Sequence, residues 1–376
     1  MGAQDLKTRA EKARAWMLDA SFPLWAEAGV DPRGGFYERL DLDGRPIKDA
    51  DSRVRVQARQ TFSFVLANQL NWRRDRSEDL ARMGVATLLT ACRREDNLFG
   101  RRFAPGRGLA DATADLYDAA FSLLAVSAAA KQLGDPNHVA AAREIAEAVE
   151  SHLARPREEG GYCEHLPAPE RREQNPHMHY LEACLAHFEA GGGDQAMDRA
   201  RRIQNLMETC FRDEDSGALR ETFTPDWRSW SDDRYEAGHQ YEWVWLLAET
   251  ARLSGASLSP ASDALYAAAL RFTDEDGRIR LSHTLEGDIR EDVRRTWSLT
   301  EALKAHIARL EAGDENAPVR AAQTFDLIWD DHLAPAIEGG WIDKYDEAGE
   351  PISTDMPAST GYHLYLAFDE LIRIAG

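Results

Sequence analysis

Apolar residues recur at helical spacing in six stretches of this chain, and each stretch opens on a polar or charged residue. In the stretch 115–133, Leu116, Ala119, Ala120, Leu123 and Leu124 fall at i, i+3, i+4, i+7 and i+8, with the small Ser127 at i+11 on the same face. A step onto alanine marks the phase late in each stretch: Leu66-Ala67, Leu124-Ala125, Leu185-Ala186, Leu247-Ala248, Lys304-Ala305 and Leu366-Ala367. The steps are 58, 61, 62, 57 and 62 residues apart. Between them lie further alanine-rich periodic segments, such as 139–153 and 199–210. Two helices per unit and six units predict twelve helices. Consecutive helices in such an array pack antiparallel, so all members of one set point the same way. The pattern predicts an all-α (α/α)6 barrel in which six inner helices stand inside six outer ones. We expect a single domain over residues 1–376, with one pocketed face.

The segments ahead of the inner helices follow a different pattern. Residues 34–47 and 339–352 are near copies that keep Gly, Gly, Asp, Gly, Pro and Ile in register, and Gly160-Gly161-Tyr162 is a weaker third instance. Their Asp-Gly and Gly turns predict short β-hairpins rimming the mouth. Gly191-Gly192-Gly193-Asp194 reads as a helix connection.

Composition narrows the partners. The net charge of −20 disfavours nucleic acid and anionic membrane surfaces. The longest apolar runs, such as 244–248, are too short to span a bilayer. No apolar run opens residues 1–5, and Cys92, Cys163, Cys184 and Cys210 lack paired spacing. A cytoplasmic protein with reduced thiols is expected.

Three to eight residues before each alanine step come Arg59, Asp118, His179 with Glu182, His239 with Glu242, Glu301, and His363. One phase should gather them at one end of the ring. We place them in the first helical turns, where unpaired N–H groups favour oxyanions. The i, i+3 spacing of His239 and Glu242, repeated in His179 and Glu182, lets a carboxylate fix an imidazole for general acid/base work. His177-Met178-His179 invites a metal, but these histidines point apart on a helix and no carboxylate cluster completes a set, so no metal is expected. Arg59 is a structural cap neighbour or an oxyanion binder, and a ring crowded with carboxylates should pair with it either way. Ring closure should bring His363 near Arg59, with His239 across the pocket. Glu301 joins from the fifth inner helix, with Trp297 one turn earlier. Asp118 reads as a brace. Phe36, Tyr37, Trp227, Trp230, Trp243, Trp297, Trp341 and Tyr362 are expected at the mouth, where aromatic faces suit sugar C–H surfaces.

Gly-Gly-Phe-Tyr-Glu-Arg at 34–39, Gln57-Ala58-Arg59, Met178-His179-x-x-Glu182-Ala183, Gly238-His239-x-x-Glu242-Trp243, Trp297-x-x-x-Glu301-Ala302 and Gly361-Tyr362-His363 run in order over nearly the whole chain. Together they resemble the N-acylglucosamine 2-epimerase superfamily, which includes N-acylglucosamine and cellobiose 2-epimerases, mannose isomerases and sulfoquinovose isomerases. The resemblance implies the same (α/α)6 barrel and a reaction at C2 of an open-chain aldose, without metal or redox cofactor. Of His239 and His363, it implies that one removes the C2 proton and the other helps ring opening and proton return. It casts Arg59 as holder of the enediolate oxygen and His179 as a hydroxyl contact. Glu182, Glu242 and Glu301 become supports that orient histidines or bind hydroxyls, beside Trp243 and Trp297. The partner is a small sugar, and the assembly a monomer or homodimer.

Trp243 directly after Glu242 resembles the mannose-isomerase-like members and points to D-mannose and D-fructose. 2-Epimerisation remains open. So does a sugar 6-phosphate, for which Arg55, Arg59, Arg234, Arg294 and Arg295 could line a basic pocket, though no phosphate-binding glycine loop is present. Two other classes stay in view. A glycoside hydrolase on this barrel would recruit Glu242, Glu301 and Asp118, and a carbohydrate-binding toroid would need no catalysis.

Overall fold

The computed structural model describes residues 3–48, 51–156, 159–230 and 234–376; Met1 and Gly2 of the N-terminal stretch discussed above lie outside them. In chain order the α-helices are α1 (Ala3–Ala15), α2 (Phe22–Ala28), α3 (Val54–Gln69), α4 (Arg74–Thr87), α5 (Leu116–Leu133), α6 (Pro136–His152) and α7 (Gln174–His187). They continue as α8 (Gly193–Leu206), α9 (Ala237–Ser254), α10 (Ala261–Arg271), α11 (Thr296–Glu311), α12 (Ala317–Leu327) and α13 (Ala358–Ala375). Local chemistry sets several ends. Asp115 caps α5 by accepting from Tyr117 and Asp118 N–H at 2.9 and 3.2 Å, and left-handed Gly134 ends it. Asp135 then caps α6, with Pro136 in its first turn.

Six helices form the inner ring: α3, α5, α7, α9, α11 and α13 each pack on the next, and α13 closes on α3. Outside them α4, α6, α8, α10 and α12 lean on their inner neighbours, and α1 fills the sixth outer place behind α13. This is the (α/α)6 barrel. Closure is specific: Gln60 Nε2 donates to Ala358 O at 2.7 Å, and the hydroxyls of Ser21 and Tyr365 meet at 2.7 Å.

The inner helices are less amphipathic than their sequence suggests. Besides the apolar stripe of α5, Phe121, Ser122, Ala125, Val126 and Ser127 are buried too. The cause is position, since an inner helix has neighbours on both sides, an outer helix behind and the lumen in front. Alanine and serine let the backbones approach. An outer helix such as α8 keeps a one-sided stripe, with Ala196, Ala200 and Ile203 buried.

Short strands edge the mouth: β1 (Arg39–Asp41), β2 (Ser52–Arg53), β3 (Arg102–Ala104), β4 (Gly108–Asp111), β5 (Arg172–Glu173), β6 (Thr222–Phe223), β7 (Ser282–His283), β8 (Ile289–Glu291), β9 (Arg294–Arg295), β10 (Lys344–Tyr345) and β11 (Asp355–Pro357). The two copied segments do turn where expected, at Asp41–Arg45 and Asp346–Glu350, with Gly44 and Gly349 at φ 82° and 84°. Locally each closes through a single bridge, Leu40 with Pro46 and Tyr345 with Pro351. Their main pairings run to neighbouring units, β1 with β11 and β10 with β9, both antiparallel. The strands therefore tie one repeat to the next. Among the described residues no helix is long and apolar enough to cross a membrane.

Candidate active site

The helix starts define the phase of the ring. Arg59, His179, Glu242, Glu301 and His363 are each the sixth residue of their helices, and the sixth residue of α5 is Phe121. These groups stand in the second turn, not the first. Backbone N–H groups there are already bonded within the helix, so the oxyanion argument from free helix ends does not apply to them. His239 and Asp118 sit one turn earlier, at the third position.

The ring encloses a cavity of about 640 Å³, within the roughly 300–1,000 Å³ usual for small-ligand sites. Arg59, His179, His239, Glu242, Trp297 and His363 line it. The Trp297 ring stands between the two histidines, with centroids 5.0 Å from His239 and 6.2 Å from His363. Gly238 makes room for it, because a Cβ there would lie 2.4 Å from the indole.

His239 does not pair with Glu242, as the i, i+3 spacing suggested. Its Nδ1 bonds Glu221 at 2.9 Å, with Glu236 at 3.6 Å. Burial lowers the imidazole, but Glu221 and Glu236 overturn that and push it up to about 10. His239 is therefore an imidazolium at neutral pH. Glu221 escaped the helix-spacing argument because it precedes α9 in the rim segment. A signal for it does exist in the repeat. Glu38, Glu164, Glu221 and Asp343 each stand two residues after a buried Phe36, Tyr162, Leu219 or Trp341. Each then accepts a bond near the start of an inner helix, as Glu38 does from Arg53 N–H and Asp343 from the Thr360 hydroxyl.

His363 is treated in the opposite way. Its Nδ1 bonds Glu301 at 2.8 Å, leaving Nε2 for the cavity. Burial, then the cations Arg59 and Lys304, hold it well below its usual range, which favours the neutral imidazole, free to accept a proton. His179 bonds Glu182 at 3.1 Å, with Glu242 3.7 Å away, and burial keeps it down at about 4. The Glu242 carboxyl is held well above the usual range, by burial first and then by the charge of Glu301.

Among the described residues Arg59 pairs with no carboxylate, contrary to the expectation from a crowded ring. Its guanidinium sits 4.1 Å from the Phe121 ring centre and donates to the Tyr117 hydroxyl at 3.0 Å, while its buried Nε bonds nothing. The rings of Tyr117, Phe121 and Tyr362 surround this cation. The carboxylate closest in sequence phase, Asp118, is taken by Arg55, whose backbone N–H it binds at 2.7 Å. Asp118 thus braces the start of α3 and not, as the sequence suggested, its own helix α5, which Asp115 caps.

Three of the expected supports lie outside the cavity. Glu182 and Glu301 are buried behind His179 and His363 and do not reach the cavity. Trp243 is buried in the wall, its indole N–H donating to Gln174 at 2.9 Å. Of the predicted aromatic mouth only Trp297 lines the cavity, joined by Tyr117, which went unnoticed. Phe36 packs on Phe64, Trp341 stacks on Trp25, Trp227 packs on Phe211, and the Tyr362 hydroxyl donates to Glu182. His177 is structural, its Nε2 accepting from Tyr162 N–H at 3.0 Å. Gln57 and Gln240 occupy the same helix position and clamp Phe36 and Leu219 in the same way.

The ring also gathers carboxylates around two histidines, which the sequence reading did not expect. His179 with Glu182 and Glu242, and His239 with Glu221 and Glu236, each bring three ligand-type atoms within 4.8 Å. In both sets the imidazole Nδ1 is already hydrogen-bonded to a carboxylate, and a divalent cation would have to displace that bond.

Known proteins share this arrangement of chain. The family model for N-acylglucosamine 2-epimerase (GlcNAc 2-epimerase) matches residues 35–367. A mannose-6-phosphate isomerase of Rhizobium meliloti (strain 1021) is 32% identical over 386 aligned positions, covering 98% of this chain and 97% of that protein. A D-mannose isomerase of Thermobifida fusca is 29% identical, covering 94% and 93%. A crystal structure of a D-mannose isomerase superposes with a TM-score of 0.86 at 22% identity, covering 99% of each chain.

Proposed function

The chain belongs to the N-acylglucosamine 2-epimerase family and is an isomerase; we propose that it interconverts an open-chain aldose and ketose, with D-mannose and D-fructose as the pair. The observation that carries this reading is the pair of histidines on either side of Trp297, one held by Glu221 beside Glu236 and the other by Glu301, next to an Arg59 that pairs with no carboxylate among the described residues. Neutral His363 takes the C2 proton, and the C–H electrons form the C1–C2 double bond of an enediolate. Arg59 receives the charge that develops on oxygen. His239, as imidazolium, hydrogen-bonds the sugar oxygens and assists ring opening. His363 then returns its proton to C1, while the O2 proton moves to O1.

Isomerisation fits better than epimerisation. A two-base epimerase needs each histidine to act as base in one direction. Glu221 and Glu236 favour the charged form of His239, which already holds its proton and is a poor proton acceptor near neutral pH. That leaves one working base, and one base suffices to carry a proton from C2 to C1. Of the carboxylates considered for hydrolysis, only Glu242 lines the cavity.

A second reading, a hexose 6-phosphate, is favoured by the wall. Seven arginines line the cavity against five Asp and Glu residues, in a chain of net charge −20. Arg294 is not among them, whereas Arg53, Arg101 and Arg171 are. The relative named mannose-6-phosphate isomerase supports the same reading. The test is incubation with D-mannose and with D-mannose 6-phosphate in deuterated water, followed by NMR. The expected outcome is a ketose carrying deuterium at C1. Deuterium appearing at C2 of an aldose epimer, without ketose, overturns isomerisation, and the ratio of kcat/KM for the two sugars decides the phosphate.

A further inference from the structure

Beneath the pocket floor lies a lysine that the reaction above does not use. Lys304 is fully buried on α11, and its Nζ stands 2.6 Å from Glu301 Oε2. The other oxygen of that carboxylate holds His363 Nδ1 at 2.8 Å. An unbroken line therefore runs from ammonium through carboxylate to imidazole, and only its far end reaches the cavity. A buried ammonium is costly to desolvate and persists only among compensating charges. Here the charges of Glu301, Glu242 and Glu182 surround it, and the Trp245 ring centre lies 3.8 Å away.

His239 is arranged differently. Two carboxylates face it, and the nearer one, Glu221, has no lysine or arginine paired to it among the described residues. His363 has one carboxylate, and that one is shared with a cation. A carboxylate that pairs with an ammonium at one oxygen and hydrogen-bonds an imidazole at the other is held in place toward the ring, while part of its charge is taken up by the ammonium.

We propose that Lys304 is a positioning residue for proton transfer, acting on His363 through Glu301 without touching the sugar. The proposal rests on the reading of His363 as the base. The groups facing His363 are Glu301 and Lys304 from α11, Arg59 from α3, and His179 and Glu182 from α7. Lys304 is the cation among them that lines no part of the cavity and reaches the imidazole only through Glu301. Its removal hands the full carboxylate charge to His363, which then binds a proton more readily. The acid limb of the kcat/KM profile must therefore move to higher pH. Arg59, still in place, keeps its own hold on the sugar.

The test compares the wild type, Lys304→Met, Lys304→Arg, Glu301→Gln and His363→Ala in the full-length protein. C2 proton exchange with D-mannose is followed from pH 4 to 10. We expect Lys304→Met to shift the acid limb upward by about one unit, a tenfold change in the proton concentration at half-activity. KM should stay within about twofold, and Lys304→Arg should return the limb toward the wild-type position. Glu301→Gln lacks the charge that Lys304 offsets and should show no upward shift. An acid limb unmoved in Lys304→Met, with only a lower Tm, overturns the proposal. Should Lys304→Met not fold, Lys304→Gln carries the same reading. Failure of both to fold while Glu301→Gln folds also overturns the proposal, because the lysine would then be a structural counter-ion. Proton exchange surviving in His363→Ala refutes the underlying reading instead, so the two failures are distinguishable.

Discussion

His239 and His363 are the same side chain, almost equally buried, in one cavity, and their surroundings favour opposite protonation states, charged at His239 and neutral at His363. His239 answers to Glu221 and Glu236. His363 answers to Glu301, whose other oxygen belongs to Lys304, and to the nearby cation Arg59. Burial lowers both, so desolvation cannot account for the difference. It comes from which charges the neighbouring repeats place behind each ring. A fold that repeats its backbone six times can thus build an acid and a base from identical residues by varying the layer behind them.

The deepest break in this comparison is loss of the base. His363→Ala should lower kcat by roughly 10²–10⁴-fold and abolish solvent exchange at C2, measured by NMR in deuterated water. Arg59→Lys comes next. It keeps the charge but not the planar fork, and should lower kcat by about 10²-fold with little change in KM, because the oxyanion it meets develops in the transition state. An effect confined to KM would make Arg59 a ground-state binder.

Glu221→Gln sharpens the contrast rather than destroying it. Glu221 raises His239, so its removal lowers the basic limb of the kcat/KM profile from near 10. The sign for stability follows. A raised histidine stabilises the fold fully below its usual 6.5 and loses that contribution as pH rises through about 10. The Tm advantage of wild type over Glu221→Gln should therefore shrink between those values. The smallest effect is expected at Trp243→Phe, which loses one buried hydrogen bond to Gln174. That should cost about 1 kcal/mol of stability and leave kcat and KM within about twofold. A large rise in KM would return Trp243 to the sugar.

The ring and its phase were legible in the sequence because alanine steps and polar openings recur at one interval. Arg59, His179, His239 and His363 reach the cavity for the same reason. Periodicity along a helix says which residues share a face, but not which side chain from another element comes to meet them. That is why Glu242 was assigned to His239, although the partner is Glu221 from the rim. Trp243 failed differently: it follows Glu242 directly, so it points about 100° away around α9, into the wall. The different protonation tendencies of the two histidines could not be read at all, since they depend on Glu221 and Glu236 behind one and on Arg59 and Lys304 behind the other.

The seam between α13 and α3 bears on how the ring assembles. Five of the inner contacts join helices about sixty residues apart in the chain. The sixth joins residues 298 apart, through Gln60 and Ala358. Loop-closure entropy grows with the logarithm of length, so this fivefold longer loop costs only about 1.4 kcal/mol more than its neighbours. The penalty is small in energy and large in order of events. An arc of five joined pairs carries two complementary ends until its own ends meet, and at high protein concentration the α1 segment and β1 of another molecule compete for the exposed side of α13 and β11. Refolding yield should then fall as protein concentration rises, by a route that touches none of the catalytic residues.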